Sequence, residues 1–190
     1  MGNKLGKKEL PKKVAIICVG NICRSPVGEA LLREYTEQSS CSFIHNIQFD
    51  SAGLFGGRLQ IAEDSLDFLH KRGISTDDFQ SKKTTREFFD KNDLIIVMEN
   101  YMKEFIITHY YPLLQHSEQK KILKRIYTLH EVAGASGEIS DPYHTSSKNF
   151  LRVLQSIDGA CQKIIKRWES STKSQKFWQR FGDKIKSLFQ

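Results

Sequence analysis

The chain has 190 residues, 29 lysines and arginines against 22 aspartates and glutamates, and a formal net charge of +7. That length suits one domain with a proper core, and no run approaches the roughly 18 apolar residues of a membrane span. The charge sits at the ends: residues 1–13 carry +4 and residues 174–190 carry +3, leaving residues 14–173 formally neutral, with no basic stripe for nucleic acid.

Residues 1–12 read as a flexible basic arm, lysine-rich and closed by Pro11. The arm lacks the apolar stretch of a secretory signal. Gly2 offers an acylation site, but Gly6 stands where serine or threonine is preferred, so a solvated arm is the simpler reading. Val14–Ile17 is β-branched or small and apolar, as a strand buried on both faces requires. A loop follows from Cys18, and Pro26 suits the first turn of a helix. Val27–Gln38 then places Val27, Ala30, Leu31 and Tyr35 on one helical stripe. Ile44–Phe49 reads as the second strand, closing at Ser51-Ala52-Gly53. Ile61–Lys71 predicts a helix with Ile61, Ser65, Phe68 and Leu69 inward, ended by Gly73.

Thr85–Asn92 is a short predicted helix, Leu94–Met98 the third strand, and Tyr101–Leu114 a helix halted near Pro112. Ile122–Leu129 reads as the fourth strand. Lys148–Trp168 is a long amphipathic helix through Phe150, Val153, Leu154, Ile157, Cys161, Ile164 and Ile165. Strands alternating with helices predict an α/β fold, a parallel sheet covered on both faces. Right-handed crossovers bring the carboxyl ends of its strands to one edge, where ligands bind.

The loop Cys18-Val19-Gly20-Asn21-Ile22-Cys23-Arg24-Ser25 carries the chemistry. Backbone N–H groups converging ahead of a helix N-terminus make an anion cradle. Those dipoles and a nearby guanidinium favour a thiolate at Cys18. Arg24 presents a planar fork that matches two phosphoryl oxygens, which lysine would not. Ser25 can donate to the sulfur, and Asn21 and Gly20 tolerate left-handed backbone. The Gly-Lys-Ser/Thr ending of a nucleotide-binding loop is absent.

Cys18 to Pro26 resembles the active-site loop of the low-molecular-weight protein tyrosine phosphatases. The likeness continues through Asp50-Ser51-Ala52-Gly53-Leu54, Asp93-Leu94-Ile95-Ile96-Val97-Met98-Glu99 and Asp141-Pro142-Tyr143, and covers about Lys13 to Trp168. Its details are most similar to the bacterial branch acting on autophosphorylated tyrosine kinases. The resemblance implies a three-layer α/β fold with a four-stranded parallel sheet of order 2-1-3-4, and no cofactor or metal. It implies Cys18 as nucleophile, Arg24 as phosphate clamp, and Asp141 as general acid and then base. The remaining loop residues Val19, Gly20, Asn21, Ile22, Cys23 and Ser25 would hold the phosphate. Tyr143, with Leu54 and Phe55, would wall a flat phenyl ester, which fits phosphotyrosine better than the shorter phosphoserine.

One departure is local: the family usually has a histidine supporting the loop's asparagine and serine, and Phe79 stands there, followed by Gln80 and then Lys82 and Lys83. Of the four cysteines, Cys18, Cys23, Cys41 and Cys161, only the first two are close in sequence. Either they form a reversible protective disulfide or Cys23 merely packs. A thiol-coupled arsenate reductase on this fold would need a further resolving pair, a spacing that Cys41 and Cys161 lack. A phosphoarginine phosphatase prefers threonine where Ile22 stands. A third alternative is an adaptor that binds phosphotyrosine at a membrane without turning it over.

The expected domain is residues 13–169, followed by a basic amphipathic extension over 170–190. Ser170–Ser174 reads as a polar linker. Phe177, Phe181, Ile185 and Leu188 then fall at helical spacing among Lys176, Arg180, Lys184 and Lys186. This extension either lies on an anionic membrane, helped by residues 1–13, or packs on its own domain or a twin subunit. The expected setting is cytoplasmic, with phosphotyrosine proteins, including a tyrosine kinase, as partners.

Overall fold

The computed structural model describes residues 10–57 and 59–187, with side chains through residue 172. Gly2, weighed above for acylation, and most of the basic arm lie outside the described residues. Strand β1 (Lys13–Cys18) is central, and Val14, Ala15, Ile16 and Ile17 are fully buried. Asp93 fixes its start by accepting the N–H groups of Lys12 and Lys13, both at 2.9 Å. On one side β1 pairs in parallel with β2 (Gln48–Gly53), on the other with β3 (Leu94–Val97), which pairs with β4 (Ile126–Thr128). The strand order is β2-β1-β3-β4, as expected.

Helix α1 (Arg24–Gln38) packs on β1 and β2 and against α7 (Ser147–Ser187). The seven apolar positions expected on the long helix, Phe150 through Ile165, are all buried. The shorter helices are α2 (Glu63–His70), α3 (Arg86–Asp90), α4 (Tyr101–Tyr110), α5 (His116–Leu123) and α6 (Leu129–Val132). Gly73 ends the α2 segment with φ +73, a left-handed backbone that suits glycine. Among the described residues no helix is long and apolar enough to cross a membrane.

Three expectations are corrected. The second strand is Gln48–Gly53, four residues later than Ile44–Phe49. Ile44 and Ile47 are buried from successive turns, in which Ile44 N–H bonds to Cys41 O and Ile47 N–H to Ile44 O. Apolar character there reports burial, and pairing with β1 sets the strand. The stretch Ile122–Leu129 is likewise a strand only in part: Ile122 and Leu123 close α5, Lys124 and Arg125 turn, β4 is three residues, and Leu129 opens α6. Thr128 enforces that switch, since its hydroxyl accepts Glu131 N–H at 3.1 Å while Glu131 accepts Thr128 N–H at 2.6 Å.

Finally, Ser170–Ser174 is no linker. It is helical within the 41-residue α7. The hydroxyls of Ser170, Ser171 and Thr172 donate to the carbonyls of Lys166, Trp168 and Glu169, so they bond along the helix without breaking it.

Candidate active site

Cys18 ends β1 opposite Gly53 of β2, and the chain must turn sharply from there into α1. Asn21 makes the turn, with φ 54, and its N–H donates to Cys18 Sγ at 3.2 Å. The Asn21 amide is fixed on three sides. Its Oδ1 accepts Lys82 N–H at 2.8 Å, and its Nδ2 donates to Ser25 Oγ at 3.0 Å and Ser51 Oγ at 2.9 Å. Because Ser25 Oγ accepts from Asn21, its own proton is free to point at Cys18 Sγ, 3.0 Å away. Phe79, where the resemblance led to the expectation of a histidine, is half-buried; the Asn21 amide is held by Ser51 and the Lys82 backbone.

The loop after β2 seals this turn. Leu54 N–H bonds to Cys18 O and Phe55 N–H to Val19 O, while Ala62 N–H bonds to Ile22 O. A Cβ on Gly53 would stand 2.7 Å from the Gly20 carbonyl carbon, and one on Gly56 2.6 Å from Gly20 O. Only glycine allows so close an approach. Val19, Gly20 and Ile22 are half-buried, while Cys23 is buried and its thiol is pushed up to about 12, first by burial and then by Cys18. Both thiols are free.

Arg24 is only 1 % exposed and bonds to two carboxylates. Nη1 donates to Glu99 Oε2 at 2.6 Å and to Ile139 O at 2.9 Å, and Nη2 donates to Asp141 Oδ2 at 2.5 Å. Burying a guanidinium requires such partners. All three arrive by topology: Glu99 lies just past β3, and Ile139 O and Asp141 sit on a segment pinned just beyond β3 by Ile139 N–H bonding to Met98 O at 2.8 Å. Asp141 thereby reaches the loop of Cys18 from 123 residues away in sequence. Its other oxygen accepts Tyr143 N–H at 3.2 Å.

Leu54 is 1 % exposed and belongs to the core, a correction to its expected place beside a bound phenyl ring. Phe55, 63 % exposed, is the ring that faces outward from that loop, and Tyr143 is half exposed with its ring 4.1 Å from that of His144. Glu99, Ser51 and the Lys82 N–H escaped the sequence reading. An acid placed directly after the apolar run Leu94–Met98 was the available signal for Glu99. Among the described residues no three histidine, cysteine or acidic side chains gather as a metal would need. A separate cleft of about 600 Å³ follows the β2 edge, where Arg33 pairs with Glu29 and Lys82 with Asp50.

A sulfur held under N–H and O–H donors, an arginine fork and a nearby carboxylate form an arrangement suited to phosphoryl chemistry. The chain is 28% identical over 162 residues to the low molecular weight protein-tyrosine-phosphatase YfkJ of Bacillus subtilis, covering 80% of this chain and 92% of that protein. It is 23% identical over 156 residues to the protein-arginine-phosphatase of the same organism, covering 81% and 95%. The tyrosine phosphatase Wzb of Escherichia coli K30, solved with sulphate, superposes with a TM-score of 0.68 at 26% identity over 83% of this chain and 99% of that one. Residues 13–175 match the family model described as low molecular weight phosphotyrosine protein phosphatase, and the chain belongs to that family.

Proposed function

We propose that this phosphatase hydrolyses phosphotyrosine in two steps through a phosphocysteine. Cys18 thiolate attacks phosphorus, forming the S–P bond as the P–O bond to the phenol breaks, and Asp141 gives its proton to the departing oxygen. Asp141 then takes a proton from water as the water oxygen attacks phosphorus, releasing inorganic phosphate and the thiolate. Ser25 and the Asn21 N–H stabilise the sulfur as it leaves. The observation carrying this reading is the Cys18 sulfur within hydrogen-bond reach of both donors, beside the Arg24–Asp141 pair.

Arg24 has a double task in this scheme. An incoming phosphoryl dianion competes with Asp141 for Nη2, while Glu99 and Ile139 O keep Nη1 in place. The test is turnover of an aryl phosphate by wild type and Cys18→Ser. A loss of at least about 10⁴-fold with inorganic phosphate still bound is expected; normal turnover by the variant ends the claim.

Dephosphorylation of phosphoarginine is the second reading, favoured by the arginine phosphatase among the relatives. Ile22, half-buried at the loop, argues for the phenyl ester. Turnover of phosphoarginine in place of phosphotyrosine peptides would reverse that order. An arsenate reductase is disfavoured, since Cys161 is sealed in the core and Cys41 bonds to Thr172 on α7. The physiological partners in this reading are cytoplasmic phosphotyrosine proteins, a tyrosine kinase among them.

The basic amphipathic sequence of residues 174–190 supports a peripheral place on anionic membrane for the active enzyme. An α7 backbone that stays helical to Ser187 has the form this requires. Full-length protein should sediment with phosphatidylserine vesicles, and not with phosphatidylcholine, in a salt-sensitive manner. Reversing Lys176, Arg180, Lys184 and Lys186 to glutamate should abolish that; equal sedimentation would remove the membrane from the proposal.

A further inference from the structure

Helix α4 starts where β3 delivers Glu99 to the active site, so its first turn stands at the catalytic mouth. Tyr101, Phe105 and His109 follow one another at intervals of four residues, on one helical face. Tyr101 is 50 % exposed. Its phenol is pushed up first by burial and then by Glu99, with Arg24, Asp141 and Cys18 also acting on it, which places it within electrostatic reach of the catalytic groups. Phe105 is half-buried, with the His109 ring stacked on it at 5.1 Å and 16°. Phe55, from the loop sealing the phosphate turn, meets Phe105 edge-on at 5.2 Å.

An aromatic stripe therefore leads out of the mouth, with Phe55 along one side. A single ring at the mouth suffices to flank a phenyl ester. Rings continuing one and two turns along α4, still partly open to water, exceed what the phosphotyrosine ring itself can cover. Tyr101 to Phe105 spans about 6 Å along the helix axis, about two residues of extended peptide.

We infer that Tyr101, Phe105 and Phe55 form a subsite for an apolar or aromatic side chain lying within about three residues of the phosphotyrosine in a substrate peptide. The inference rests on the phosphotyrosine reading above. Its occupant follows from continuity: the chain that places its phosphate over Cys18 must leave through the mouth, and this stripe is an apolar path out of it. Edge-to-face and stacked rings offer both geometries that a further aromatic ring prefers.

The test uses the full-length enzyme and synthetic phosphotyrosine peptides of equal charge. Phenylalanine, leucine or serine stands in turn at each of the three positions on either side of the phosphotyrosine, and p-nitrophenyl phosphate reports turnover without a peptide. At one or two positions kcat/KM should favour phenylalanine over serine by about 3–10-fold, the range expected for a partly exposed aromatic contact. Phe105→Ala should bring that ratio to about 1, and Phe105→Tyr should retain it. Equal kcat/KM for all peptides in an enzyme that still turns them over would overturn the subsite alone. So would an undiminished ratio in a folded Phe105→Ala variant. Turnover of p-nitrophenyl phosphate with no phosphotyrosine peptide accepted would strike the phosphotyrosine reading and the subsite with it.

Discussion

The phosphate turn and the segment carrying Asp141 meet at Arg24, yet they are held in opposite ways. In the turn, Asn21, Arg24 and Ser25 are buried, and the Asn21 amide is committed to Ser25, Ser51 and Lys82. From Gly134 to His144 only Ile139 and Pro142 are buried, and the Asp141 side chain is 40 % exposed. An anion cradle works by preorganisation, so its dipoles must not have to move when charge arrives. The proton carrier proposed for Asp141 must meet water and alternate between Arg24 and the leaving oxygen. Rigidity and access are thus divided between two segments, with a single guanidinium joining them.

Substitutions can break this division on either side. After Cys18→Ser, the largest expected effect is on the exposed side: Asp141→Asn should lower kcat by about 10²–10⁴-fold on phenyl phosphate. The loss should shrink on aryl phosphates with more acidic phenols, and a loss independent of the leaving group would remove Asp141 as the acid. Next is the bridge. Glu99→Gln leaves Arg24 with a weaker charge-assisted bond and should cost about 10–100-fold in kcat/KM, read chiefly as weaker phosphate inhibition.

On the rigid side, Gly53→Ala forces a Cβ against Gly20 and should destabilise the fold by about 1–3 kcal/mol, seen as a lower Tm, with activity falling in parallel. The last effect is on pH. Cys23 keeps its proton up to about 12 when folded but loses it near 9.0 when unfolded, so the folded state binds more protons between those values. Stability should therefore fall as pH rises from about 9 toward 12, and Cys23→Ala should flatten that fall in urea titrations. An identical alkaline limb in the variant would assign it to other groups, such as Tyr111, whose phenol is also held up by burial and Asp90.

The sequence made the Cys18–Arg24 loop legible because its chemistry is contiguous, and β1 legible because four residues buried on both faces leave an unbroken apolar run. Asp141 could be named only through its family context, since an Asp-Pro pair is by itself a turn. Glu99 was hidden because its role exists only across strands: β3 pairs Val97 with Ile17, so the residues just beyond each strand end become neighbours. The same holds for Ser51, whose place under Asn21 follows from the β1–β2 register. Helix α5 was missed because Ile122 and Ile126 look like one apolar strand. Between them Leu123 is the last residue of α5, Lys124 its C-cap and Arg125 the exit.

Paired with Asp141, the Arg24 guanidinium has a counter-ion within the fold itself. A phosphodiester or a chloride ion brings one charge and can at best replace one charge with another. A phosphomonoester brings two and can oblige both the turn's N–H groups and the guanidinium. In the proposed reaction, discrimination between mono- and diesters would thus begin at the displacement of a carboxylate, before any bond to phosphorus changes.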